Sequence, residues 1–196
     1  MKKKFFSLIT GTILSLALVT TAAAESFDNI PAKKQTELGL YLTAKDAYKM
    51  KTEDPKVLLI DVRTRAEVAF LGMPQVSDAN IPYMMPGEWD VWDEKKKNFK
   101  MEPNSGFLLS MEDLLKEKGS TKEAKIIILC RSGNRSANAA NLLAKGGYTN
   151  VYTVVDGFEG DKAKSGDLKG QRVVNGWKNS GLPWTYKLEK SKMYDL

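Results

Sequence analysis

Three short apolar runs, separated by stretches patterned for helix, place this chain in the α/β class with a largely parallel sheet. They are Val57–Ile60, Ile126–Leu129 and Val151–Val155. The runs read as continuous rather than alternating, which marks strands covered on both faces. In sheets of this kind ligands collect beyond the carboxyl ends of the strands, and Asp61 and Cys130 both fall at such ends.

The elements follow in order. Lys2, Lys3 and Lys4 precede an apolar segment from Phe5 to Val19, and Ala22-Ala23-Ala24 offers small residues for cleavage. Residues 1–24 therefore read as a signal peptide cut before Glu25, with a bacterial periplasm or the extracellular medium as destination. The apolar segment falls short of the roughly 20 residues a spanning helix needs, so no stable membrane anchor is expected. Residues 25–39 form an N-terminal arm, either loosely ordered or docked on the domain. Thr43-Ala44-Lys45-Asp46 opens a helix with a capping residue; Ala47, Tyr48 and Met50 give it an apolar side, and Pro55 stops it. After the first strand, Thr64 to Phe70 make a short helix, and Asp78–Pro82 hold a further short strand.

Residues 83–109 carry Trp89, Trp92, Phe99 and Phe107 together with the charged run Glu94-Lys95-Lys96-Lys97. So long a stretch without strong periodicity reads as an insertion. It either packs on its own aromatics with the lysines solvated, which is the preferred reading, or forms a lid or partner surface near the site. Ser110-Met111-Glu112-Asp113 then reads as a capping box that opens a helix ended by Gly119. The central strand Ile126–Leu129 leads to a helix over Ser136–Ala144, stopped by Gly146-Gly147. The strand Val151–Val155 closes at Asp156-Gly157. Val173-Val174-Asn175-Gly176-Trp177 reads as a helix, and residues 189–196 as a C-terminal tail. No internal repeat is present.

The formal charge is +6, from 30 basic and 24 acidic residues. Loss of residues 1–24 removes three lysines and no acids, which leaves +3, too little to argue for a nucleic-acid partner. The remaining length suits one domain with a proper core. One cysteine and no histidine occur in the whole chain. An internal disulfide is therefore excluded, as are Ser-His-Asp and Cys-His catalysis, and neither a metal centre nor a cofactor is expected.

That cysteine, Cys130, ends the central apolar run and opens the polar turn Arg131-Ser132-Gly133-Asn134-Arg135-Ser136. A strand end that turns into a helix gathers backbone N–H groups and the positive end of the helix dipole, a setting that stabilises a thiolate and binds an anion beside it. Arg131 and Arg135 add charge. Arg131 is read as facing the entrance. Arg135 either clamps a dianionic oxo-sulfur donor or braces the loop through its own carbonyls. The bland alternative, a small buried hydrophobe, suits most free cysteines but not one inside so polar a turn.

Five segments resemble the rhodanese family. Leu59-Ile60-Asp61-Val62-Arg63 is similar to its Asp-Val-Arg motif, and Asp78-Ala79-Asn80-Ile81-Pro82 resembles its Asn-Ile-Pro segment. Cys130 to Ser136 is similar to the active-site loop Cys-Arg-x-Gly-x-Arg-Ser. Val155–Gly160 and Gly176–Pro183 resemble the family's Gly-Gly-Phe/Trp segment and its Gly-Trp-x-x-x-Gly-Leu-Pro ending. The resemblance implies one rhodanese domain over residues 40–188, a five-stranded, largely parallel sheet flanked by helices on both faces. It also implies a sulfurtransferase in which Cys130 carries sulfane sulfur as a persulfide. A small anionic donor such as thiosulfate would supply that sulfur, and cyanide or a thiol would accept it. Arg131, Ser132, Gly133, Asn134, Arg135 and Ser136 would cradle the sulfur, with Asp61 and Arg63 supporting the loop. The chain departs from the pattern where Gly72-Met73-Pro74-Gln75-Val76 stands in place of Gly-His-Ile, in the long 83–109 insertion, and in residues 158–172, which read as a mobile basic loop.

Two rivals remain. A phosphatase or arsenate reductase shares the general loop design, but there five residues separate cysteine and arginine; four separate Cys130 from Arg135, which shrinks the cup. The other rival is a persulfide carrier that serves an exported partner protein through the insertion.

Overall fold

The computed structural model describes residues 27, 29–87 and 91–194. The expected signal peptide and Trp89 lie outside the described residues. Among the described residues no helix is long and apolar enough to cross a membrane.

The chain runs β1 (Tyr41–Leu42), α1 (Ala44–Glu53), β2 (Leu58–Asp61), α2 (Arg65–Leu71), β3 (Met73–Pro74) and β4 (Ala79–Asn80). The insertion follows as β5 (Met84–Pro86), β6 (Trp92–Asp93), β7 (Asn98–Phe99) and β8 (Met101–Pro103). Then come α3 (Phe107–Glu117), β9 (Ile126–Leu129), α4 (Asn134–Lys145), β10 (Val151–Val154) and β11 (Trp184–Thr185). Five strands form one sheet in the order β1-β10-β9-β2-β4, and all of its pairs are parallel.

The continuous apolar runs are strands buried on both faces. Successive side chains on a strand point to opposite sides, so each run feeds two cores. Leu58, Ile60, Ile126 and Ile128 join Phe107, Met111 and Leu143 beneath α3 and α4. Leu59, Ile127, Leu129 and Val154 join Ala44, Ala47, Phe158 and Trp177 beneath α1 and the C-terminal segment. Each fully buried isoleucine or leucine contributes on the order of 1.5–3 kcal/mol.

Capping starts two helices where the sequence indicates. The Thr43 side chain accepts the Asp46 N–H, Thr64 accepts that of Glu67, and both boxes are reciprocal. Three expectations need correction. α3 begins at Phe107 behind Gly106, and the Ser110 hydroxyl donates to the Gly106 carbonyl from inside the helix. Phe107 and Met111, four residues apart, are both fully buried, so the apolar face extends a turn further back than the Ser-x-x-Asp pattern. Residues 173–177 form turns rather than a helix: the Gly176 N–H is drawn to the Asp156 carboxylate, 2.9 Å away, at a φ of +94°. Residues 158–172 are not a loose loop. Lys162 bridges Arg172, and the Ala163 N–H donates to the Gln171 carbonyl at 2.9 Å.

Both ends of the described chain dock on the domain. Lys34 is buried, and its Nζ donates to the Val155 carbonyl at 2.8 Å and pairs with Asp161 at 3.0 Å. Near the C terminus, Met193 bridges Asn80 on the outer edge of β4, and the Tyr194 N–H donates to the Asn80 carbonyl.

Candidate active site

Strand register aligns the site. Asp61 is level with Leu129 on one side and Asn80 on the other, so Cys130 stands one residue beyond the sheet at the end of its central strand. The turn after it is set by Gly133, which caps α4 at φ 93°. A Cβ there would lie 2.3 Å from the Val155 carbonyl oxygen, and one on Gly157 would lie 2.6 Å from the Cys130 oxygen. Only glycine lets the Val155–Gly157 segment press against the loop.

Cys130 is 1 % exposed and sits in the buried cluster with Ile128 and Ala139. Its sulfur nonetheless faces polar groups. The Gly133 N–H donates to Sγ at 3.2 Å, and the Ser136 hydroxyl lies 3.6 Å away while donating to the Gly133 carbonyl. Sequence reasoning expects several amides on the sulfur; one is there. Among the described residues the N–H groups of Arg131, Ser132, Asn134, Arg135 and Ser136 have no backbone acceptor, the last three because the first turn of a helix leaves them without an intrahelical partner. The loop thus holds one amide on sulfur, at the positive end of α4.

Among the described residues Arg135 does not brace the loop through its own carbonyls, as one expectation had it. Its Nη1 and Nη2 form a two-point pair with Glu67 at 2.6 and 2.5 Å, which ties the start of α4 to the start of α2. Burial opposes the Glu67 charge, but hydrogen bonds and attraction from Arg135 outweigh it and lower the pKa to about 2. The same partner raises that of Arg135 against its own burial. Glu67 was missed from the sequence, although its place three residues after Thr64 was the available signal.

Arg131 is exposed and has no ion-pair partner among the described residues. Beside it stands an arginine the motifs did not single out. Arg172 donates to the Gly160 carbonyl at 2.6 Å, and burial followed by the positive charge of Arg131 lowers its pKa.

Asp61 and Arg63 are fully buried and paired at 2.6 Å. Arg63 also donates to the Gly72 carbonyl and stacks 3.9 Å above the Phe158 ring, whose backbone N–H donates to the Cys130 carbonyl. Asn80 donates to the carbonyls of both Asp61 and Arg63. These residues reach the loop through Phe158 and touch no sulfur.

The insertion forms two small hairpins. Its charged turn is solvent-exposed, and Trp92 and Phe99 meet edge to face with centroids 5.4 Å apart, as a self-packed insertion requires. It also lines a cleft of about 400 Å³: Phe99, Lys100 and Met101 on one wall face Glu67, Arg131 and Arg135 on the other.

A family model described as a rhodanese-like domain matches residues 43–164. The chain belongs to the rhodanese family. An uncharacterized protein of Rickettsia rickettsii, the RP600 homolog, is 34 % identical over 140 residues, spanning 71 % of this chain and 92 % of that one. The crystal structure of Rv0390 from M. tuberculosis superposes with a TM-score of 0.51 at 30 % identity, covering 75 % of this chain and 97 % of the other. A 40-residue stretch is 45 % identical to a thiosulfate sulfurtransferase, GlpE, of Tolumonas auensis, over 20 % of this chain and 38 % of that one. The fold is thus the sulfurtransferase type.

Proposed function

We propose that this protein is an exported sulfurtransferase that moves sulfane sulfur through a Cys130 persulfide. The observation that carries this reading is the loop itself: the Gly133 amide donates to the buried Sγ of Cys130 at the start of α4. In the first step the Cys130 thiolate attacks the outer sulfur of thiosulfate. A new S–S bond forms, the donor's S–S bond breaks, and sulfite leaves with the electron pair. The loop amides stabilise the terminal sulfur, while the exposed Arg131 attracts the dianion and Arg135 is engaged by Glu67. In the second step cyanide or a thiolate attacks that terminal sulfur and the electron pair returns to Sγ. No proton transfer is obligatory, so the lack of histidine is no obstacle.

The narrow loop, and an Arg135 engaged by Glu67, weigh against phosphate or arsenate chemistry. A second reading, a carrier that discharges only to an exported partner, is favoured by the insertion's place on the cleft wall. Export itself rests on the Lys2–Lys4 and Phe5–Val19 pattern, and N-terminal sequencing of the secreted chain should begin at Glu25.

The decisive test is the intact mass after thiosulfate exposure. The enzyme reading expects a gain of about 32 Da, reversed by cyanide and absent in Cys130→Ser, from covalent-intermediate logic. An adduct that small acceptors leave in place supports the carrier. No adduct from any sulfane donor overturns both.

A further inference from the structure

We propose that the cleft between the insertion and the sulfur loop is an acceptor subsite that selects low-molecular-mass organic thiols bearing carboxylate groups. The inference rests on the sulfurtransferase reading above.

Size argues first. Cyanide needs no cleft at all, and a stable protein partner needs a face of roughly 800 Å² per side. The volume of about 400 Å³ is that of a site for a small organic ligand. Its length agrees: a second, more apolar cleft of about 400 Å³ shares Thr64, Ala66 and Pro86 with it and continues toward Met85 and Tyr194. Charge argues next. Lys100 from the insertion and Arg131 from the sulfur loop both line the cleft, both exposed and neither ion-paired among the described residues. Among the described residues Glu67 is the one acid on the lining, and Arg135 already neutralises it. The described lining is therefore net positive, complementary to a carboxylate. Phe99 and Met101 supply an apolar floor for the carbon chain, and both are held out to solvent rather than folded into the core. Exposed aromatic and thioether groups at such a spot are the usual lining of a binding cleft.

In the step concerned, the acceptor thiolate attacks the outer sulfur of the Cys130 persulfide. The new S–S bond forms on the acceptor, the old one breaks, and Sγ leaves as thiolate. The carboxylates, held by Lys100 and Arg131, contribute orientation and take no part in bond making.

The test measures kcat/KM of persulfide-loaded protein for mercaptosuccinate, 2-mercaptoethanol and cysteamine, in the natural chain, in Lys100→Glu and in Phe99→Ala. Ratios between variants cancel the intrinsic nucleophilicity of each thiol. Lys100→Glu should lower the mercaptosuccinate-to-cysteamine ratio about five- to tenfold, with the effect fading at high salt. Phe99→Ala should raise KM for mercaptosuccinate and 2-mercaptoethanol alike while leaving the charge ratio as it was. If the natural chain loads and discharges normally but neither variant moves these quantities, the subsite is overturned and the sulfurtransferase reading stands. If the natural chain never takes up sulfur, both fall.

Discussion

Residues 130–136 are held by contacts from distant parts of the chain, whereas residues 84–103 are held largely by one another. The loop meets Val155 and Gly157 through close backbone packing, Glu67 through a two-point ion pair, and Phe158 through a hydrogen bond to the Cys130 carbonyl. The insertion closes through its own hairpins and one aromatic pair, with anchorage at its root, where Asn104 donates to the Pro82 carbonyl. The two regions wall the same cleft. Chemistry on a single sulfur needs donors fixed to a fraction of an ångström, which only a well-buried frame supplies. Choice among acceptors needs surface charge and adaptable apolar contact, which an exposed hairpin can vary without disturbing that frame.

The contrast can be broken most forcefully at the frame. Arg63→Ala leaves Asp61 buried without its counter-charge, and a loss of about 3–5 kcal/mol is expected in urea unfolding, together with loss of sulfur uptake. Gly157→Ala places a Cβ 2.6 Å from three backbone atoms at a φ of +67°, so a cost of about 2–3 kcal/mol and a slower persulfide-forming step are expected. Glu67→Gln should cost on the order of 2 kcal/mol and also flatten the acid limb of stability. In the natural chain Glu67 ionises near 2 rather than at its ordinary 4.5. Its contribution is therefore complete above about pH 4.5 and lost as pH falls toward 2, which thermal melts across that window will show. The smallest effect belongs to the insertion. Trp92→Ala removes a half-exposed edge-to-face partner and should cost less than about 1 kcal/mol with sulfur uptake intact. A Trp92→Ala variant as unstable as Glu67→Gln would mean that the insertion belongs to the frame, and the contrast would fail.

What was legible in the sequence follows from locality. The apolar runs became the central strands because continuous hydrophobicity has no other place to go in a parallel sheet. Thr43 and Thr64 became caps because a capping box is satisfied within four residues. Cys130 was readable because strand, polar turn and helix are adjacent in the chain. The misjudged pieces depended on remote partners. Ser110 looked like a cap until the burial of Phe107 carried α3 past it. Residues 173–177 looked helical, but Asp156 holds both the Ala44 and Gly176 amides and fixes a different path.

The parallel α/β layout, the solitary nucleophile and the absence of an imidazole base were determined by the amino-acid sequence alone, since each depends on residue type and short-range pattern. Tertiary structure alone decided the partner of Arg135. It pairs with an acid 68 positions away, and Arg172, from a closed loop late in the chain, bonds the Gly160 carbonyl. Ion pairs of that kind are set by where folded elements meet, and a linear pattern of charges carries no record of distance.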